Sequence, residues 1–210
     1  MKRRHPIPKG QLVHVIDDDA DVRQSLAFLL ATAGLAVRVY ESAVAFLKAL
    51  PTVEDGCIVT DVRMPGMDGI ELQRRLKASN NHMPVIVMTG HADIALAVEA
   101  MKGGALDFIE KPFDDEVLLQ AIKLALARNS AERARDAAVT EIRTRMEALS
   151  RRERQVMEGL VAGKPNKIIA YELGISARTV EVYRANVMTK MQADSLSELV
   201  RMVLLEGGTV

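Results

Sequence analysis

A single cysteine, Cys57, stands in 210 residues, so the chain cannot close a disulfide on itself. It lies in an apolar run where packing is its expected role, and a chain with one thiol suits a reducing, cytoplasmic setting. Long hydrophobic runs are lacking too. The charge-free stretch Gln24–Val37 is too short to cross a bilayer, and the basic start Met1–Pro6 lacks the apolar region of a secretory signal. No membrane partner is expected, and residues 1–11 read as a tail. Net charge is also absent, with 28 Lys and Arg against 28 Asp and Glu. Divided by segment it is −3 over 1–127, +1 over 128–147 and +2 over 148–210, the sign expected if the last part meets phosphates. Repeats and low-complexity tracts are missing. What remains is globular composition, 49% hydrophobic and 27% charged, on a length that suits one ordinary domain and a smaller one.

From residue 12 the chain alternates between two periods. Leu12–Ile16, Ala36–Tyr40, Cys57–Thr60, Pro84–Thr89 and Leu106–Ile109 are short, β-branched and strand-like. Between them lie amphipathic segments: one carries Val22, Leu26, Leu29, Leu30 and Ala33 on one face and stops at Gly34, and others cover 42–50, 69–78, 92–102 and 114–127. Five strands alternating with five helices predict an α/β doubly wound parallel sheet over 12–127, flavodoxin-like with strand order 2-1-3-4-5. Residues 128–147 are rich in Ala, Arg and Glu, with a narrow stripe at Ala131, Ala134, Ala138, Ile142 and Met146. They read as a helical linker with too little apolar surface to fold alone, and a flexible joint is expected near Asn129-Ser130. Over 148–210 helix punctuation is dense: a capping box at Ser150-Arg151-Arg152-Glu153, stops at Gly163 and Gly174, and N-caps at Asn166 and Ser176. A small all-α domain follows, with helices near 151–162, 167–173, 177–191 and 195–206.

In an α/β sheet ligands bind beyond the carboxyl ends of the strands, where this sequence gathers its polar residues. Asp17 and Asp18 end the first strand, Asp61 the third and Thr89 the fourth; Lys111 follows the fifth. With strands one and three adjacent, three carboxylates crowd one pocket, a conflict that a divalent cation removes. Mg²⁺ is the expected ion, because it is held by one or two carboxylates together with water and phosphate oxygens. A carboxylate in such a pocket can attack a phosphoryl group. Asp61, alone on the central strand, is the expected acceptor, with Lys111 and the Thr89 hydroxyl positioned to meet phosphoryl oxygens. One aspartate at a strand end is ordinarily a turn residue or helix cap. The whole set in this order is not.

Val15-Ile16-Asp17-Asp18-Asp19, Val59 to Gly69, Val87-Met88-Thr89-Gly90 and Asp107 to Phe113 resemble the receiver signature of bacterial response regulators over about 12–127. The resemblance implies Mg²⁺ held by Asp18, Asp61 and the backbone carbonyl of Arg63, with Asp17 acting through water. It further implies a cis Lys111-Pro112 peptide and Phe108 as an aromatic switch residue, although an aromatic in a strand is commonly plain core. Asp19 is left outside the ligand set, and His91 lies near enough to Thr89 to bear on dephosphorylation unless it is simply a loop residue. A rival comes from Asp17-Asp18-Asp19, which superficially resembles the Asp-x-Asp nucleophile of haloacid-dehalogenase phosphatases. That family expects Thr or Val where Asp21 stands, and needs a longer core.

Asn166 through Val180 reads as helix, tight turn, helix, the geometry that sets a second helix into the DNA major groove. Residues Leu149–Leu205 resemble the LuxR/NarL-type DNA-binding domain, notably at Arg152-Glu153-Arg154-Gln155-Val156, Lys167-Ile168-Ile169-Ala170 and Arg178-Thr179-Val180-Glu181. A helical wheel centred on Val180 buries Tyr183, Val187 and Met191 and turns Arg178, Val182, Ala185 and Thr189 outward, with Thr179, Glu181 and Asn186 at the flanks. That face is poorly basic. Glu181 is expected to read cytosine and Val182 or Ala185 a thymine methyl, leaving Asn166, Lys167, Arg178, Thr179 and Lys190 as further DNA contacts, chiefly with phosphates. Both halves together, with Thr140–Val210 notably at Arg184-Ala185-Asn186-Val187-Met188 and Ser195-Leu196-Ser197-Glu198-Leu199-Val200-Arg201-Met202, resemble response regulators of the FixJ type. This implies a FixL-like sensor histidine kinase upstream, promoter DNA as target, a homodimer on phosphorylation, activation of nitrogen-fixation genes, and RNA polymerase as a candidate further partner. The chain is then not an enzyme beyond its own phosphorylation and dephosphorylation at Asp61. A helical domain that only binds protein partners is the remaining alternative.

Overall fold

The computed structural model describes residues 12–90 and 94–207; the expected tail at 1–11 and His91 lie outside the described residues. Contacts divide the chain into two compact units that meet between Glu132 and Arg133.

The first unit runs β1 (Leu12–Ile16), α1 (Ala20–Thr32), β2 (Ala36–Tyr40), α2 (Ala43–Ala49), a short 3-10 turn at Leu50–Thr52, β3 (Gly56–Asp61), α3 (Gly69–Ala78), β4 (Val85–Thr89), α4 (Ile94–Gly103), β5 (Asp107–Glu110) and the part of α5 (Asp115–Glu147) up to Glu132. All five strands are parallel in the order β2-β1-β3-β4-β5, as the alternation of periods predicts. Helices cover both faces, so the central strands are buried and, His14 and the polar residues at their carboxyl ends apart, apolar, and successive residues feed opposite cores. On β3, Ile58 joins Phe46, Leu72 and Val87 on one face, while Cys57 and Val59 join Leu30, Leu118 and Ile122 on the other. Each such fully buried large side chain contributes about 1.5–3 kcal/mol. The Cys57 thiol is pushed up to about 12 by burial, which leaves it inert at neutral pH. β1 and β3 approach closely at Gly56, where an added Cβ would lie 2.0 Å from the Leu12 carbonyl oxygen.

Two expectations about the last helix of this unit are corrected. The separate helix at 114–127 and linker at 128–147 are one helix, Asp115–Glu147, because nothing between Ala127 and Glu147 breaks a helix and the composition favours one. Asn129 is no joint either. It is buried, and its Nδ2 donates to Asp55 Oδ2 at 2.8 Å and to the Gly56 carbonyl at 3.2 Å, which fastens α5 to the start of β3.

The second unit contains α6 (Arg151–Val161), α7 (Asn166–Leu173), α8 (Ala177–Met191) and α9 (Leu196–Glu206), together with the end of α5. Ile142 is buried among Leu149, Val156, Leu160 and Leu199, and Met146 packs against them. The apolar stripe of residues 133–147 therefore completes this core. The capping box forms as expected: the Ser150 hydroxyl accepts from the Glu153 N–H at 3.3 Å and Glu153 Oε2 accepts from the Ser150 N–H at 2.7 Å. The expected N-cap at Asn166 is displaced by one residue. Pro165, with φ −60° and ψ 148°, precedes the first helical residue, and its carbonyl accepts from Ile168 N at 2.9 Å and Ile169 N at 3.2 Å. Gly174, at φ +64°, ends α7, and Ser176 caps α8 by accepting from Thr179 N at 3.1 Å, which makes the tight turn between the two helices.

Candidate functional site

At the carboxyl end of the sheet, Asp17 follows β1 and Asp61 closes β3, both buried, because parallel pairing aligns Ile16 with Thr60. The Lys111 ammonium donates to Asp17 Oδ2 at 2.9 Å and to Asp61 Oδ1 at 2.7 Å, so one cation bridges the two carboxylates. Burial alone would lower the lysine's pKa, but the hydrogen bonds and charges of Asp61 and Asp17 outweigh it and the pKa is raised. Both carboxylates are further held by backbone amides: Asp17 Oδ1 accepts from Asp19 N at 2.9 Å, and Asp61 Oδ2 from Arg63 N at 2.7 Å. Thr89, buried at the end of β4, is one residue past the Asp61–Met88 register pair, and its carbonyl accepts from Lys111 N at 2.6 Å. The Lys111-Pro112 peptide is cis, as expected.

The turn beyond Asp61 is built by the sequence Met64 to Gly69. Gly66 takes φ +80°, Asp68 caps α3 by accepting from Glu71 N at 2.7 Å, and Met64 and Met67 bury their side chains beneath. Gly69 is required by proximity: an added Cβ would lie 2.3 Å from the Asp61 carbonyl oxygen. Asp18 is exposed at the rim beside Asp17, and the Arg63 side chain is exposed. Asp19 instead caps α1, accepting from Asp21 N at 2.8 Å and Val22 N at 3.3 Å. Phe108 is half-buried on β5 against the core that contains Val87. Among the described residues no three His, Cys, Asp or Glu side chains form a cage able to hold a metal alone. The donors at hand are carboxylate and carbonyl oxygens, few in number and open to solvent through Asp18. Such a set fits Mg²⁺, which keeps several waters, and does not fit a softer metal.

On α8 the wheel is reproduced. Val180, Val187 and Met191 are buried and Tyr183 is half-buried, while Arg178, Glu181, Val182, Ala185, Asn186 and Thr189 are exposed and Thr179 is intermediate. Lys167 is exposed at the start of α7, beside the half-exposed Asn166. Lys190 is placed otherwise than expected. Its ammonium donates to Glu153 Oε2 at 2.7 Å and to the Ala148 carbonyl at 3.3 Å, so it is engaged inside the unit. The sequence reading passed over Lys164, whose ammonium donates to Glu172 Oε1 at 2.7 Å, and the half-buried Arg184. Both line a cavity of about 540 Å³ with Asn166, Lys167, Glu181 and Leu196, at the N-terminus of α7, which has no side-chain cap. The signal was present in Lys164-Pro165, a cation set directly before a helix start.

Comparison with known proteins adds to this geometry. Residues 13–123 match the response regulator receiver domain family, and 147–203 match the bacterial regulatory proteins of the luxR family. The transcriptional regulatory protein FixJ of Azorhizobium caulinodans is 60% identical over 96% of this chain and 95% of its own length. The chain belongs to the FixJ-type response regulators. FixJ of Rhizobium meliloti is 54% identical over 93% of this chain and 96% of its own. The crystal structure of full-length FixJ from B. japonicum covers 94% of this chain and 97% of its own, at 56% identity and a TM-score of 0.60. For the response regulator StyR the values are 92%, 98%, 41% and 0.83. A FixJ-type chain is a DNA-binding regulator of a two-component system, with a receiver before a LuxR-type helix-turn-helix domain. No helix among the described residues is long and apolar enough to cross a membrane.

Proposed function

We propose that Asp61 accepts a phosphoryl group from a sensor histidine kinase and that this modification drives the LuxR-type domain onto promoter DNA. The observation that carries the reading is the Lys111 ammonium bridging Asp17 and Asp61 beside Thr89. A carboxylate oxygen of Asp61 attacks phosphorus while the bond from phosphorus to the donor's leaving group breaks, giving an aspartyl phosphate. Lys111 then moves its contact from the carboxylate to a phosphoryl oxygen, and the Thr89 hydroxyl donates to another. Asp17, Asp18, Asp61 and the Arg63 carbonyl would hold Mg²⁺, Asp17 through water. When bound, the ion neutralises charge on the transferring group. Drawing Thr89 inward leaves room for the half-buried Phe108 to follow.

The kinase has a docking surface beside the acceptor. Phe28 on α1 is 76% exposed, and a cavity of about 1060 Å³ next to it is lined by Leu29, Pro112 and Phe113. Homodimerisation on phosphorylation would use the apolar side chains that α4 and α5 expose, Ile94, Val98, Met101, Val117 and Leu124. Two DNA-binding units then engage two half-sites, which offsets the small positive charge of each. In each, Glu181 and Val182 or Ala185 read bases, while Asn166, Lys167, Arg178 and Thr179 hold the backbone. By likeness to relatives named FixJ, the kinase is FixL-like and the targets are nitrogen-fixation genes, activated through RNA polymerase.

The test is labelling of the full chain by a small phosphodonor with Mg²⁺. Asp61→Asn is expected to abolish the label and the accompanying rise in sedimentation coefficient. Normal labelling of Asp61→Asn with loss in Asp17→Asn would overturn the assignment.

A further inference from the structure

Of the three carboxylates at the carboxyl end of the sheet, two are held from several sides. Asp17 and Asp61 each meet the Lys111 ammonium and a backbone amide. Asp18 is exposed, and among the described residues its side chain has no hydrogen bond or ion pair. Its direction is therefore set by its own backbone, which is gripped on both sides. After it, Asp19 donates its N–H to Asp17 Oδ1 at 2.9 Å and caps α1 with its carboxylate. Before it, the carbonyl of the Asp17–Asp18 peptide accepts from Arg23 Nη1 at 2.7 Å. Asp17 is 1% exposed, so this oxygen needs a donor from within the protein. The helix does not supply one, because the first backbone bond of α1 runs from Arg23 N to the Asp19 carbonyl. Arg23 is also the sole Lys or Arg between residues 10 and 37, so no other cation of β1 or α1 can stand in for it.

We infer that Arg23 is a positioning residue for the ion that the aspartates would hold. By fixing the peptide between Asp17 and Asp18, it aims the Asp18 carboxylate while touching neither ion nor phosphoryl group. A guanidinium suits this task, since it is always charged and presents its donors in a rigid fork. Groups that orient metal ligands from behind commonly change metal affinity by about 10–100-fold when removed. The inference rests on the proposed assignment of Asp17, Asp18 and Asp61 to Mg²⁺, and goes beyond it by naming what holds that set in place before the ion arrives.

The experiment titrates MgCl₂ into the full, unphosphorylated chain and follows the amide signals of Asp18, Asp19 and Arg63. Arg23→Gln, which is shorter and carries no charge, should raise the half-saturating Mg²⁺ concentration roughly ten-fold. Arg23→Lys keeps a charged donor and should recover most of the loss. In the metal-free protein the Asp19 amide, bonded to Asp17 Oδ1, should exchange faster in Arg23→Gln while the rest of α1 keeps its protection. Phosphodonor labelling should show the same split, with more Mg²⁺ needed but the maximal rate at saturating Mg²⁺ held to within about two-fold. A residue that only supported the fold would instead lower the unfolding temperature, and labelling at every Mg²⁺ concentration, with half-saturation unchanged; that result overturns the inference. So does equal Mg²⁺ affinity in the parent chain and Arg23→Gln. A parent chain whose signals show no saturable movement removes the metal assignment itself, and this inference with it.

Discussion

Lys190 looks like a phosphate contact in the sequence and is tied to Glu153 in the fold, and the two roles make opposite forecasts. The Glu153 carboxylate is buried, accepts from the Lys190 ammonium and the Ser150 N–H, and has its pKa held down to about 2, first by Lys190 and then by Ser150. Because the folded value lies below the unfolded one, the stabilisation is complete above about pH 5 and disappears as pH falls through about 2. Fully shielded, a depression from 4.5 to about 2 would contribute about 3 kcal/mol. Lys190 is 41% exposed, so solvent screening reduces this to about 1–2 kcal/mol. Glu153→Gln should therefore destabilise the helical unit by about 1–2 kcal/mol at pH 7 and by nearly nothing at pH 2. Urea unfolding of the full chain, followed through the methyl signals of the buried Met157 and Met191, measures it. Equal midpoints for parent and variant across that range would refute the ion pair's contribution. On DNA, Lys190→Gln should leave the salt dependence of binding nearly unchanged. A slope reduced as much as by Lys167→Gln would return Lys190 to the phosphate contacts.

Other outcomes follow from single residues. Glu181→Ala should relax base preference at one position of each half-site by about 1–3 kcal/mol, while Lys167→Ala weakens all sequences alike; selection from a randomised half-site library separates the two. Gly69→Ala should cost about 1–3 kcal/mol or more, because its Cβ meets the Asp61 carbonyl at 2.3 Å, and should slow phosphodonor labelling as α3 and Asp61 shift; unaltered stability and labelling would contradict the close packing. Asn129→Leu should lose about 1–3 kcal/mol of local stability by leaving Asp55 and the Gly56 carbonyl short of a donor, read as faster amide exchange around residue 129.

The sheet was legible because parallel strands covered on both faces must be apolar, and the runs ending at Ile16, Thr60 and Thr89 are short and bounded. Asp17, Asp61 and Lys111 could be grouped from topology alone, since strand ends converge wherever the strand order allows. Features set by one side chain's distant partner were not legible. Asn129 is a poor helix former until Asp55 and Gly56 occupy its amide, and Lys190 is a surface cation until Glu153 arrives from another helix. His14 gave no signal either: it is buried on β1, its Nε2 donates to the Glu54 carbonyl at 2.8 Å, and its pKa is lowered by burial. Asn166 was misassigned by one position because proline can precede a helix without offering a side-chain cap.

The exposed surface of α8 carries Arg178 but also Glu181, Val182, Ala185 and Asn186, and Lys190 is already paired. Electrostatic attraction to arbitrary duplex is the part of affinity that genomic DNA competes for. A module with little of it spends little time parked on the wrong sequence, and one-dimensional sliding contributes correspondingly little to its search. With α8 as the proposed DNA-facing helix, such a regulator finds its sites mainly by repeated three-dimensional encounter, so the occupied fraction of a site tracks the concentration of binding-competent protein more directly than it tracks the mass of surrounding chromosome.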